Sequence, residues 1–249
     1  MGACNNKLKD SIEKETITSP KKSSKKRSKS FTIDLRIHTP ASIGYFGIEG
    51  VDTAPAMVSL AKVKGIDLIA VTDFYTGEYI DKIMDAAKDT PVTIIPGVDI
   101  RCSLNNCDDV VLTCLFPETF GSTNVQDYLH ALDIPKSVVG NRKYLVRKSF
   151  DTILQTLEDF GGVALPSRMD KTPHRLSVLP ALIQDYGFRT FDLAYADSTE
   201  YFKAKWPKIK FNLFSFSNAN SLAQLGSRTA KVKMSDATFQ GLAQLTSRV

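Results

Sequence analysis

From Phe31 to its end the sequence alternates short β-rich runs with helical ones, and that rhythm limits the architectures open to it. Phe31–His38 reads as a strand. Ala54–Val63 reads as an amphipathic helix closed by Gly65, and Ile66–Thr72 as a buried strand followed by a helix from Glu78. Val92–Ile100 and Val110–Phe116 are further strands, with the hydrophilic run Ser103–Asp109 as the turn between them. Phe150–Phe160 is a helix ended by Gly161-Gly162, and Val163–Leu165 a short strand. A helix around Val178–Tyr186, strands at Phe191–Ala194, Phe211–Phe216 and Ala230–Met234, and a helix over Ala237–Leu245 complete the series. Strands alternating with helices predict a parallel sheet, and this many in one unit predicts a closed or nearly closed barrel.

With 249 residues, 43% of them hydrophobic, the chain can bury one sizeable core. No apolar run reaches the ~18 residues that a membrane helix needs. Four cysteines, Cys4, Cys102, Cys107 and Cys114, are too few and too unevenly spaced for a disulfide framework. They read as reduced thiols of a cytoplasmic protein, since no apolar leader follows Met1.

The net charge of +5 is not spread evenly. Residues 1–30 hold nine Lys or Arg against Asp10, Glu13 and Glu15, a net +6, which leaves −1 for the remainder. A polar, basic segment of this kind has nothing to bury and is expected to be a disordered tail before a single domain over 31–249. It reads either as a solvated extension or as a contact for nucleic acid or another anionic surface. Gly2 and Cys4 beside it are the residues of a dual-acylation pattern, but Asn6 stands where that pattern has Ser or Thr.

In such barrels chemistry sits at the C-terminal ends of the strands. Those ends read Asp34-Leu35-Arg36-Ile37-His38-Thr39, Thr72-Asp73-Phe74, Pro96-Gly97-Val98-Asp99, Pro166-Ser167-Arg168 and Ser217-Asn218-Ala219-Asn220. In order and spacing they resemble the five signatures of the PHP (polymerase and histidinol phosphatase) family, in particular its compact, stand-alone bacterial members. The resemblance implies an α/β fold, a distorted TIM-like (β/α)7 barrel. It also implies two or three Zn, Mn or Fe ions that cleave phosphate esters with metal-bound hydroxide. Imidazole and carboxylate ligands are needed there to fix the ions and to lower the pKa of bound water.

The departures from the signatures are systematic. Arg36 replaces the first His, Phe74 the second-motif His and Asp99 a bridging Glu. Val111 stands for a His on the fourth strand, Arg168 for a later His, and Asn218 and Asn220 for the last Asp and His. His38, Asp73 and Asp99 are what remains, enough for at most one weakly held divalent ion and otherwise no cofactor. His130 and His174 lie outside the motifs.

Two losses are to arginine, whose planar donor fork suits phosphate or carboxylate. Arg36 and Arg168, with Asn218 and Asn220, therefore form a candidate anion site, unless each arginine only pairs with a neighbouring aspartate. Three readings follow. The first is a non-catalytic module that binds a phosphate-containing or other anionic ligand, or a protein partner. The second is a residual phosphoesterase using one ion, and the third a scaffold component of an assembly.

Overall fold

A computed structural model of the chain describes residues 1–2 and 28–249. Cys4 and nearly all of the expected basic tail lie outside the described residues. Eight strands and eight helices follow in the order β1 (Lys29–Ile37), α1 (Thr53–Val63), β2 (Leu68–Val71), α2 (Ile80–Ala87), β3 (Thr93–Leu104), β4 (Cys107–Leu115), α3 (Ser122–Ala131) and α4 (Phe150–Asp159). They continue as β5 (Val163–Ser167), α5 (Pro173–Leu176), α6 (Leu179–Gln184), β6 (Thr190–Asp192), α7 (Ser198–Lys205), β7 (Asn212–Phe214), β8 (Ala230–Met234) and α8 (Phe239–Thr246). The strands form one sheet in the order β7-β6-β5-β4-β3-β2-β1-β8, an α/β barrel that is nearly closed.

The sheet is mixed, where the sequence rhythm predicts a parallel one. β3, β4 and β5 pair antiparallel, as do β1 and β8, while the other neighbours are parallel. The cause lies in the run that reads as a long turn. β3 continues to Leu104 and β4 starts at Cys107, so only Asn105 and Asn106 connect them. Asn105 takes the left-handed conformation (φ 51°), which Asn tolerates better than most residues, and a crossover helix has no room. α3, α5 and α7 are the helices the sequence pattern does not delimit; α7 buries only Phe202 and carries little helical periodicity.

Two features place the functional side chains. The first is a register shift between β1 and β2, located between Asp34 and Ile37. Ile33 and Leu35 belong to the inner core cluster with Leu68, Ala70, Ile95, Leu115 and Leu165, whereas Ile37 belongs to the outer cluster that includes Met57, Val58 and Ala61 of α1. A straight strand would put Ile37 on the same face as Ile33 and Leu35; the irregularity re-aims the strand end instead. Arg36 and His38 are thereby turned toward Asp99.

The second feature is the return of the chain after β7. His38 N donates to Ala219 O at 2.9 Å and Ala219 N to Arg36 O at 3.2 Å, so this segment runs along the end of β1. Asp34 holds it from below. Its carboxylate accepts from Ser217 N (3.2 Å), Ser217 Oγ (2.5 Å) and Gly226 N (3.1 Å). Removing that acceptor leaves three donors to be resolvated or stranded. We expect Asp34→Ala to cost about 2–4 kcal/mol in urea unfolding, mainly through the midpoint. A loss below ~1 kcal/mol would contradict a closing role for Asp34.

Candidate functional site

The centre of the barrel mouth is a buried ion pair. Arg36 donates from Nε (2.9 Å) and Nη2 (2.8 Å) to the same oxygen, Asp99 Oδ2. Its Nη1 lies 3.6 Å from Asp192 Oδ2. The other Asp99 oxygen accepts from Thr113 Oγ1 at 2.6 Å, and Thr113 is in turn 2.8 Å from Ser167 Oγ. One guanidinium thus links the ends of β1, β3 and β6. Neither Arg36 Nη1 nor Asp192 Oδ2 has a hydrogen-bond partner among the described residues.

Asp73 faces away from this pair. It accepts from Thr39 N (2.8 Å), Thr39 Oγ1 (2.6 Å) and Ser42 Oγ (2.5 Å), and burial still pushes its pKa up. Because the Ser42 hydroxyl donates to Asp73, its oxygen is free to accept, and His38 Nδ1 stands 3.3 Å away. That assigns the proton of a neutral ring to Nδ1 and leaves a bare lone pair on Nε2. Nε2 is fully buried, unpartnered among the described residues, and 3.8 Å from Asp99 Oδ2. Burial, then the charges of Arg36 and Arg142, hold the His38 pKa well below the usual imidazole value. His38 is uncharged at neutral pH.

The metal set of a PHP centre does not fit these residues. Asp73 spends its oxygens on three donors, and Asp99 Oδ2 is held by Arg36. Among the described residues no three His, Cys, Asp or Glu side chains group so that they could hold an ion. The trio His38, Asp73 and Asp99 expected to share one ion is therefore not assembled as a ligand set. His130 and His174 are exposed on α3 and α5, in keeping with positions outside the motifs.

The two motif arginines part company. Arg36 is paired, so for this residue the aspartate-pairing alternative holds. Arg168 is half-buried, and no carboxylate or hydrogen-bond acceptor holds its guanidinium among the described residues; burial, then the charge of Arg36, depresses its pKa. Its backbone is left-handed (φ 55°), fixed by Arg168 N donating to Asp192 O at 2.6 Å and Arg175 Nη1 donating to Arg168 O at 3.1 Å. A non-glycine residue in that conformation stores strain, a common mark of functional positions. Asn218, also left-handed (φ 49°), stands beside His38, and Asn220 Oδ1 accepts from Arg142.

Sequence reasoning misses Arg142, Asp192, Thr113 and Ser167 as members of the site. Arg142 comes from the loop before α4. It approaches the Phe74 ring at 5.9 Å, and burial, then the charge of Arg36, depresses its pKa. No spacing in the sequence marks it. Asp192 does carry a signal, as a carboxylate ending a strand. The β4 side chain that reaches Asp99 is Thr113, two residues beyond Val111, the position that reads as the lost His.

Burial raises the Asp192 pKa to about 6, from 3.8, with Arg36 opposing the rise. The raised value favours the protonated form in the fold. Its contribution to stability is full below pH 3.8 and is lost as pH rises through about 6. Wild-type stability relative to Asp192→Asn should therefore fall by about 2–3 kcal/mol between pH 4 and 6.5, in paired denaturant titrations. Parallel curves across that range would contradict the assignment.

No protein-family model matches the sequence, and no curated protein matches it. Solved structures do. A candidate metal-dependent phosphoesterase from Bifidobacterium adolescentis is 12% identical, with a TM-score of 0.53 over 79% of this chain and 91% of its own. A two-domain protein from Bacteroides vulgatus, described as containing a predicted PHP-like metal-dependent phosphoesterase, is 12% identical, with a TM-score of 0.57 over 88% of this chain and 63% of its own. An amidohydrolase from Chromobacterium violaceum, described with bound sulfate and no metal, is 13% identical, with a TM-score of 0.56 over 87% of this chain and 97% of its own. The fold is the PHP-type, TIM-like barrel expected from the strand-end motifs.

Proposed function

We propose that the chain is a non-catalytic PHP-fold module that binds an oxyanion of phosphate or sulfate size at the barrel mouth. The observation that carries this reading is Arg168. It is a half-buried cation whose guanidinium makes no ion pair or hydrogen bond among the described residues, with Asp192 and Asp170 acting on it only from a distance, and it is held in a strained conformation beside Arg36. Arg142 approaches Arg36 from another side and is held by an amide oxygen of Asn220, not by a carboxylate. Lys171 adds a further positive charge near Arg168. A tetrahedral oxyanion would give Arg168 and Arg142 the charge-assisted acceptors they lack. The amidohydrolase from Chromobacterium violaceum, a structure of similar fold, is described with bound sulfate.

Binding without turnover follows from what Arg36 is. A guanidinium supplies charge and donors, but it has no exchangeable coordination position at which a water could be acidified. The single-ion phosphoesterase reading would require Arg36 to release Asp99, and Asp73 to shed at least one of its three donors.

The test is thermal unfolding in increasing inorganic phosphate. At ~100 times the dissociation constant, linkage raises stability by about 2.7 kcal/mol, or roughly 5–10 °C in Tm for a chain of this size. Arg168→Met keeps a long side chain at the same backbone position but removes the charge, and should abolish most of that rise. No rise in the wild type, or an undiminished rise in Arg168→Met, would sink the reading.

A further inference from the structure

Among the described residues, the loop between β1 and α1 is the stretch where exposed large apolar side chains cluster. Phe46 is 72% exposed, Ile43 65%, Ile48 57% and Val51 41%. The other exposed large hydrophobics, Val63, Tyr195 and Tyr201 apart from the chain ends, are scattered. Single exposed apolar residues need no explanation, whereas four of them on one loop do. Gly44 (φ +84°) and Gly50 (φ +75°) turn the loop, and a Cβ added at either would meet open space. Packing is not what keeps these side chains in place.

The loop stands on the rim of the arginine site. Phe46 N donates to Asn220 O at 2.8 Å, and the side-chain oxygen of that same Asn220 accepts from Arg142. Ile43 Cγ1 would lie 2.9 Å from a Cβ at Gly140, two residues before Arg142. The exposed lysines Lys143 and Lys171 follow Arg142 and Arg168 closely in the chain, and Glu49 is the one acid within Ser42–Val51. Apolar and cationic groups therefore occupy one rim. The chain's basic excess, a net +6 in residues 1–30, has the same sign.

We propose that the anion taken by this site is the headgroup phosphate of an anionic membrane lipid, with Phe46, Ile48 and their neighbours entering the bilayer interface beside it. The proposal rests on the anion-binding reading and names its ligand. An interfacial surface needs apolar groups that penetrate, cations that meet phosphate, and a projecting shape that reaches past the headgroups. The exposed Ile43–Val51 loop supplies the apolar groups, and Arg142 and Lys143 beside it supply cations, with Arg168 and Lys171 adding charge elsewhere at the mouth. A protein groove would satisfy the apolar groups, but it would not by itself account for Arg142 and the exposed Lys143 beside them.

The full chain is sedimented with phosphatidylcholine vesicles, with and without phosphatidate. Binding should require phosphatidate, and Phe46→Ser with Ile48→Ser should weaken it about tenfold or more. Both positions are exposed, so the fold is not at stake. Phe46→Trp provides a second readout, an emission shift to the blue on phosphatidate vesicles that is missing on phosphatidylcholine.

Unchanged binding in the double variant overturns the proposal. So does binding that disappears only when Lys21, Lys22, Lys25 and Lys26 are replaced by Gln, since charge on the tail would then suffice. Self-association abolished by the loop variants, with no vesicle binding, would make the loop an interface between proteins and also overturn it. If inorganic phosphate raises Tm while vesicles do not bind, the lipid proposal fails and the anion site stands. If neither occurs, both fail.

Discussion

The pairing of Arg36 with Asp99 is the interaction on which the barrel mouth depends. Arg36, His38 and Asp99 are almost completely buried, as is Asp192. A lone carboxylate at that depth would be costly, and it would stay ionised only if a cation answered it. One guanidinium answers two carboxylates from the non-adjacent strands β3 and β6, and its own position depends on the register shift at the end of β1. Its charge also contributes to keeping His38 neutral. A buried ion pair of this kind is weak evidence for stability, but losing one partner strands the other, so the mouth is committed to the pair as a unit.

The fold was legible because its signal is periodic and local. Glycines at helix ends, apolar runs of strand length and a polar residue at most strand ends are readable in the sequence even though most of the ligand types in the motifs it resembles are absent. Strand direction was not legible where it departed from the rhythm. Nothing in Ser103–Asp109 announces that Asn105 adopts a left-handed turn and that the flanking polar residues belong to strands. α7 was invisible for the opposite reason: a helix that buries one side chain has no stripe to read.

The pairings at the barrel mouth were not legible in the sequence. The motif order points to Arg36, His38, Asp73, Asp99, Arg168, Asn218 and Asn220, and of these the fold joins Arg36 to Asp99 within β1 and β3 and carries Asn218 and Asn220 on the segment after β7. Whether an arginine faces ligand or aspartate is a matter of a few ångströms that spacing does not encode. Arg36 turned out to be paired and Arg168 not. Arg142 comes from an irregular loop, where position along the chain says little about position in space. It joins the site only because the segment after β7 brings Asn220 to meet it.

The distribution of unmet costs over the molecule is uneven. The inner barrel below the mouth is apolar, and the helices pack a continuous outer core. At the mouth, Arg168 and Asn218 hold left-handed backbones, the Arg168 guanidinium makes no ion pair or hydrogen bond among the described residues, and buried polar atoms of Arg36, His38 and Asp192 lack hydrogen bonds there. The exposed Phe46 and Ile48 belong to the same rim. Strain, unpaired charge and exposed apolar surface are each tolerable alone, but a protein of marginal stability keeps them together only where another contact relieves them. An anion relieves the charge and the empty donors, but does nothing for the apolar loop. A surface that presents phosphate and hydrocarbon side by side relieves both, which is why the loop and the arginines are better understood as one face than as two features.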